Sequence, residues 1–235
     1  METRPTVISF DCAQTLVQVD WNPPAVACDA LAATGTDFDR QVASEVYGRL
    51  LATRWPDFHL VNRQRDEAAC LEFWRELTGD WLARCGLETS LVDAVVAEAD
   101  RIVYGPPSHV FALYDDVLPC LQSLAAAGIR MVIVSNWDNS LHRVVNEFGL
   151  KGYFDHVMAS MEEGWEKPDA RLFQAMFERA GVEPGEVLHI GDNPIDDVQG
   201  ALATGAEALL LERGLPASSD RVLASLHDLP AVLGL

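Results

Sequence analysis

The chain has 235 residues, 49% of them hydrophobic, so it can bury a core and is not a disordered chain. Its 17 Lys and Arg against 36 Asp and Glu give a net charge of −19, which disfavours binding to nucleic acid or anionic lipid. No apolar run reaches the roughly 18 residues of a membrane span. The first ten residues lack secretory-signal features, and the five cysteines are scattered, so we predict a cytoplasmic protein with reduced thiols.

Short apolar strands alternate with helices that end at glycine. The predicted strands are Thr6–Phe10, Ile129–Val134, Glu186–Ile190 and Ala206–Leu211. The helices between them are predicted at Val117–Ala127, Ala170–Ala180 and Ile195–Thr204. This alternation is typical of βαβ units, and it predicts an α/β fold with a doubly wound, Rossmann-like parallel sheet.

A long helical segment separates the first predicted strand from the second. Its predicted helices are Pro24–Ala33, Asp39–Thr53, Gln64–Cys85 and Ser90–Tyr104. In the third helix the residues at core-facing three- and four-residue steps are Leu71, Trp74, Leu77, Trp81 and Leu82. We therefore predict a core domain of residues 1–17 and 106–235 and an inserted α-helical cap domain of residues 18–105.

Polar residues follow the predicted strands, where a doubly wound sheet binds its ligands. They are Asp11 and Thr15, then Ser135, Asn136 and Trp137, then Lys167 in a turn, and finally Asp192, Asp196 and Asp197. A carboxylate can attack phosphorus to form an acyl phosphate that water later splits. A lysine would neutralise charge beside it, and hydroxyl groups would bind the transferring oxygens. Mg²⁺ prefers oxygen ligands, for which the candidates are Asp11, Asp192 and one of Asp196 and Asp197.

The order of these motifs, DxxxT, SN, KP and GDxxxxD, resembles the haloacid dehalogenase superfamily. The segments SNWD, EKPDARLF and IGDNPIDDVQGALATG are particularly close to its phosphatase-like members, and the helical insert is similar to the small cap of subfamily I. The resemblance implies a nucleophile, Asp11, with Ser135 and Lys167 as phosphate ligands. It also implies a Mg²⁺ site, whose ligands would be Asp11, the carbonyl of Ala13, Asp192 and Asp197.

The same resemblance implies a small phosphorylated substrate rather than a macromolecule. Thr15 and Asn136 are the residues expected to contact it, and Trp137 is expected to shape the mouth of the pocket. The sequence leaves the oligomeric state open.

Residues 13 and 14 depart from the family pattern. Phosphatases of this family carry a second aspartate two residues after the nucleophile, followed by glycine, whereas this chain has Ala13 and Gln14. The missing aspartate protonates the leaving group and activates water, a role worth roughly 10²–10⁴-fold in rate. We therefore expect activity restricted to substrates with good leaving groups. Because glutamine tolerates a positive φ poorly, its presence in place of glycine argues against the tight geometry of the family's loop.

Two alternatives remain open. The chain could be a catalytically deficient relative that binds phosphate or metal in an interaction role. It could also be a 2-haloacid dehalogenase, since those enzymes need no leaving-group acid, with Arg40 as the candidate cap arginine.

Other polar residues are predicted to serve the fold. His156 and His189 lie in apolar runs and are expected in the core or at an edge. Asp115 and Asp116, just before Val117, are expected to cap a helix.

Overall fold

The computed structural model describes residues 4–215 and 221–235. They divide into two compact units, one containing the described residues up to Gln18 and from Ala112 onward, the other Val19–Phe111. Within the described ranges, no helix is both long enough and apolar enough to cross a membrane.

A six-stranded parallel sheet forms the centre of the first unit, in the order β5-β4-β1-β6-β7-β8. The strands of the chain are β1 (Val7–Phe10), β2 (Val17–Val19), β3 (Phe111–Leu113), β4 (Arg130–Ser135), β5 (His156–Ala159), β6 (Val187–Gly191), β7 (Glu207–Leu211) and β8 (Val222–Leu223). Strands β2 and β3 pair with each other in a separate two-stranded sheet. The α/β prediction is confirmed, and the four predicted strands are β1, β4, β6 and β7.

Four helices make up most of the second unit. They are α1 (Pro23–Ala33), α2 (Arg40–Asn62), α3 (Glu67–Arg84) and α4 (Val92–Tyr104). Each packs against two of the others, in the cyclic order α1-α2-α3-α4. The indole of Trp81 is fully buried among them and donates to the Ala43 carbonyl at 2.8 Å, so its polar atom is satisfied in the core.

Two details of this unit differ from the sequence prediction. Helix α2 continues past Thr53 to Asn62 although Pro56 lies inside it, because Phe58 is fully buried with its ring 4.8 Å from that of Phe73. That packing outweighs the backbone hydrogen bond that a proline removes. Because its ring packs on Phe58, Phe73 lies in the core. Leu71, which was predicted to face the core, is 52% exposed.

Helices flank the sheet of the first unit. They are α5 (Val117–Ala126), α6 (Ser140–Glu147), α7 (Ser160–Glu163), α8 (Ala170–Ala180), a π-helix (Pro194–Gln199), α9 (Gly200–Ala203) and α10 (Leu229–Val232). The buried face of α8, with Phe173 and Met176, packs on Val132 and Val134 of β4. The predicted helix Ile195–Thr204 is in fact the π-helix followed by α9.

Candidate active site

The parallel strands bring several of the predicted site residues to one edge of the sheet. Strand β1 lies between β4 and β6, and its carboxyl end leads into Asp11. Ser135 is the last residue of β4, and Asp192 follows Gly191 at the end of β6. From β1 the strand order runs through β4 to β5 on one side and through β6 and β7 to β8 on the other. The carboxyl ends of the strands next to β1 therefore lie at the switch point at which doubly wound sheets bind ligands.

The carboxylate of Asp11 is 5% exposed and accepts two hydrogen bonds on Oδ1. The Ser135 hydroxyl donates to it at 2.9 Å and the Lys167 ammonium at 2.7 Å. The backbone is fixed as well, since the Asp11 amide donates to the Ile190 carbonyl at 2.8 Å. Asp11, Ser135 and Lys167, widely separated in sequence, are therefore in direct contact.

Lys167 lies in the turn between α7 and α8 with its side chain 2% exposed. Its ammonium donates to Oδ1 of Asp11 and, at 2.5 Å, to Oδ1 of Asp197. The side-chain amide of Asn136 holds the main chain of Lys167 from both directions, accepting from its N–H at 2.7 Å and donating to its carbonyl at 2.9 Å. The structure thus places Asn136, expected to contact substrate, against the backbone of Lys167.

The π-helix positions the Asp197 carboxylate. The amides of Asp197 and Val198 both donate to the Asn193 carbonyl, at 3.0 and 3.3 Å, and the wide turn brings Oδ2 of Asp197 within 2.9 Å of the Asn193 amide. A Cβ on Gly191 would lie 2.1 Å from the Asp197 carboxyl group, so the absence of a side chain at position 191 permits this close approach.

His189, predicted only as a core or edge residue, is part of the site. Its ring is fully buried, with Nε2 3.1 Å from Oδ1 of Asp197 and Nδ1 2.7 Å from the Ser9 hydroxyl. The signal in the sequence was its place in the strand that ends at Gly191 and Asp192, with its side chain on the same face as Ser9 of β1.

Charge and burial act in opposite directions at this cluster. Burial would raise the pKa of Asp197, but hydrogen bonds from His189 and Lys167 and the positive charge of Lys167 outweigh it and hold that pKa well below its ordinary value. Burial raises the pKa of Asp11, against the lowering effect of Lys167. Burial would lower the pKa of Lys167, but Asp11 and Asp197 together raise it, so the ammonium form is favoured. Burial lowers the pKa of His189, which favours its neutral form.

Three carboxylates meet here with suitable geometry for a divalent cation. Asp11, Asp192 and Asp197 each offer an oxygen, and these three atoms lie within 4.8 Å of one another. Asp196 instead accepts from the side-chain amide of Asn193 at 3.0 Å, so Asp197 is the acid that reaches the cluster. Carboxylate oxygens are hard donors, so these three residues could hold a divalent cation.

The loop after Asp11 is held in an unusual conformation. Gln14 has φ +56°, the left-handed region expected to strain a residue other than glycine. Its amide donates to the Val17 carbonyl at 2.7 Å, and its side-chain oxygen accepts from the Tyr114 hydroxyl at 3.1 Å. The loop therefore keeps a tight turn without glycine, while Ala13 contributes no proton donor or acceptor from its side chain.

Thr15 and Trp137, both expected at the substrate, lie near the same edge. The Thr15 hydroxyl donates to Oδ1 of Asp192 at 3.5 Å. The Trp137 indole donates to the Ser140 hydroxyl at 3.0 Å, and its backbone amide donates to the hydroxyl of Ser160 at 3.1 Å. Trp137 is thus anchored at the start of α6 and half-buried.

Comparison with known proteins indicates the family to which the chain belongs. Residues 5–205 match the family model described as haloacid dehalogenase-like hydrolase. Over 142 residues the chain is 30% identical to the human haloacid dehalogenase-like hydrolase domain-containing protein 3, covering 60% of this chain and 55% of that protein. Over 106 residues it is 35% identical to a phosphoserine phosphatase of Thermus thermophilus, covering 45% of this chain and 43% of that enzyme. The chain thus spans about half the length of these relatives.

The fold has a solved counterpart of similar length. The crystal structure of a 2-haloacid dehalogenase from Pseudomonas syringae superimposes with a TM-score of 0.67 at 23% identity, covering 98% of both chains. At that identity the likeness concerns the fold alone. The family model, in contrast, extends over most of the chain and includes every motif described above. This chain belongs to the haloacid dehalogenase-like hydrolase family.

Proposed function

We propose that this hydrolase is a Mg²⁺-dependent phosphatase that acts on small phosphorylated metabolites. The reaction proceeds through an aspartyl phosphate on Asp11, and only substrates that have a good leaving group react well. The observation that carries the proposal is the buried cluster in which Lys167 bridges Asp11 and Asp197 while Ser135 donates to Asp11. A phosphatase relative, the Thermus phosphoserine phosphatase, supports phosphate chemistry.

The residues that would hold the metal are Asp11, the backbone carbonyl of Ala13, Asp192 and Asp197. When bound, Mg²⁺ would supply positive charge to offset the negative charge of the phosphoryl group. Lys167 and Ser135 would orient the Asp11 carboxylate and bind phosphoryl oxygens.

Two displacements at phosphorus make up the proposed reaction. In the first, a carboxylate oxygen of Asp11 bonds to phosphorus, and the bond to the leaving oxygen breaks with its electron pair departing on that oxygen. In the second, water attacks the aspartyl phosphate, releasing inorganic phosphate and restoring the Asp11 carboxylate. Ala13 can neither protonate the leaving oxygen nor remove a proton from water, so a leaving group stable as an anion is favoured, and the second step is slow.

The test is phosphate release in the presence of Mg²⁺ from acetyl phosphate and from an unactivated alkyl phosphate. We expect release from acetyl phosphate, little from the alkyl phosphate, and none above background for Asp11→Asn, which keeps the shape of the side chain but loses the nucleophile. Wild-type rates in Asp11→Asn would disprove the nucleophilic role. Absence of release from both substrates would favour a phosphate- or metal-binding relative with little catalysis.

The surroundings of Arg40 do not favour the dehalogenase alternative. Arg40, its candidate arginine, is 53% exposed at the side chain and forms an ion pair with Asp29 at 2.7 Å. The carboxylate cluster around Lys167 has oxygen donors suited to a divalent cation, which haloacid chemistry does not require.

A further inference from the structure

A line of hydrogen bonds connects Ser9 to the proposed nucleophile through the interior of the sheet. Ser9 of β1 contacts His189 of β6, His189 contacts Asp197 of the π-helix, and Asp197 shares the ammonium of Lys167 with Asp11. We propose that His189 is a positioning residue, which holds the Asp197 carboxylate so that Lys167 stays directed at Asp11, and that Ser9 orients the His189 ring by donating to its Nδ1. This inference rests on the proposed function of Asp11.

The chemistry of the partners fixes the direction of each hydrogen bond. An ionised carboxylate only accepts, so the Nε2 of His189 must carry the hydrogen that faces Asp197. In a neutral ring Nδ1 is then the acceptor, and the Ser9 hydroxyl donates to it. Every donor along the line therefore points toward the carboxylates, and no contact requires the reverse tautomer.

The packing around His189 leaves the ring little freedom. Ser9 and His189 are partners in the register of β1 and β6, so the hydroxyl is aligned with the ring by the sheet itself. On the other side, the ring of Phe173 meets the imidazole edge to face at a centroid distance of 5.1 Å. A branched aliphatic residue would fill this buried position without the cost of desolvating an imidazole.

The position of the Asp197 carboxylate depends on the hydrogen bond from Nε2 of His189. Its Oδ1 accepts from both Lys167 and His189, while its Oδ2 accepts from the Asn193 amide. Loss of the His189 donor leaves two of these three contacts, and the carboxylate can then turn about its Cβ–Cγ bond toward Lys167. The ammonium would move with it, away from the Oδ1 of Asp11 that it now contacts at 2.7 Å.

The kinetic test compares His189→Leu with His189→Gln on acetyl phosphate. We expect kcat of the leucine variant to fall by about 10- to 100-fold, the usual effect of losing an outer partner of a site, with KM changing much less. Glutamine, whose terminal amide can donate from nearly the place of Nε2, should recover most of that loss. Equal losses in the two variants, or an unchanged kcat in His189→Leu, would overturn the proposal.

His156 provides the matched control, because it is a histidine on β5 of the same sheet and has no place in this line of hydrogen bonds. His156→Leu should leave kcat unchanged. Ser9→Ala keeps the imidazole and gives a smaller loss than His189→Leu, so the proposal stays testable even if the leucine variant does not fold. No loss in Ser9→Ala would contradict the role of Ser9 in orienting the imidazole.

A second readout needs no turnover, because the sequence contains only two lysines, Lys151 and Lys167. In protein labelled with ¹⁵N-lysine, the buried Lys167 ammonium should exchange its hydrogens slowly, and exposed Lys151 should exchange too fast to be seen. We expect His189→Leu to accelerate exchange at Lys167 and His189→Gln to retain slow exchange. An identical exchange rate in wild type and His189→Leu would disprove the positioning role, whereas absence of phosphate release by wild type would count only against the proposed function.

Discussion

At position 13 the side chain is a methyl group, two residues beyond a carboxylate whose Oδ1 accepts hydrogen bonds from two side chains. The donors are the hydroxyl of Ser135 and the ammonium of Lys167, so the Asp11 side chain is held in place. The structure adds that Gln14 adopts the left-handed turn with support from Val17 and Tyr114. Under the proposed function, this loop lacks a carboxylate that would transfer protons.

Restoring that carboxylate should restore proton transfer. Ala13→Asp is expected to raise the rate of alkyl phosphate hydrolysis by about tenfold or more, part of the roughly 10²–10⁴-fold that general acid–base catalysis contributes. Ala13→Asn is the matched control, because it adds nearly the same atoms without a titrating group. Phosphate release is the measurement, and equal rates in the two variants would show that the deficiency lies elsewhere.

Gly191 is a second position where one methyl group decides the geometry. Gly191→Ala would bring Cβ to 2.1 Å from the Asp197 carboxyl group, so strand or π-helix must shift. Overpacking of this kind costs about 1–3 kcal/mol in the free energy of unfolding, measurable by denaturant titration. Gly185→Ala is the control, since a Cβ there meets no atom within 4 Å, and a loss as large at Gly185 would contradict the steric explanation.

Among the elements, α5 begins beside a carboxylate that serves tertiary structure instead of capping the helix. The sequence predicts Asp116 as a cap, but its side chain makes no cap hydrogen bond. It accepts from Arg213 at 2.7 and 3.0 Å, from the Ser225 hydroxyl at 2.6 Å and from the Leu226 amide at 2.8 Å. Asp116 therefore ties the start of α5 to the C-terminal part of the chain.

Asp116→Asn should destabilise the protein by about 2 kcal/mol or more at neutral pH, because hydrogen bonds to a charged group are each worth about 1.5–3 kcal/mol. Burial would raise the pKa of Asp116, but the hydrogen bonds from Arg213, Ser225 and Leu226 hold it below its ordinary value. A lowered folded-state pKa means that this stability is present above the unfolded pKa, about 3.9, and is lost as pH falls through the folded value.

The free energies of unfolding of wild type and Asp116→Asn should therefore converge on acidification below about pH 4. Urea titrations at neutral and acidic pH give both values. Asp115→Asn serves as the control because Asp115 is the exposed neighbour. A difference between wild type and Asp116→Asn that does not depend on pH would exclude the charge as its source.

For the whole molecule, the net charge of −19 attracts divalent cations in general. An experiment must therefore distinguish Mg²⁺ bound at a specific site from Mg²⁺ that only screens the surface charge. If Asp11, Asp192 and Asp197 hold Mg²⁺ in the folded state only, the ion stabilises the fold by about 2.7 kcal/mol at a concentration one hundred times its Kd. We expect Mg²⁺ to raise Tm of the wild type and to have a much smaller effect on Asp192→Asn. An equal rise in both proteins, or with NaCl at the same ionic strength, would show general screening instead of a site.

The sequence by itself determined the parallel α/β sheet and the order of the motifs, since alternation of short apolar runs with glycine-terminated helices is a local signal. It located β1, β4, β6 and β7 and placed Asp11, Ser135 and Asp192 at strand ends. The hydrolase family follows from those motifs.

Only the tertiary structure decided which partner each polar group has. The contacts of His189 with Ser9 and Asp197 depend on strand register and on a π-helix, and the contacts of Asp116 join residues about a hundred positions apart. Hydrophobic periodicity predicts which face of an element is buried, but a hydrogen bond needs atoms from several elements within about 3 Å. That distance is set by the packing of the elements, which the local sequence pattern does not contain.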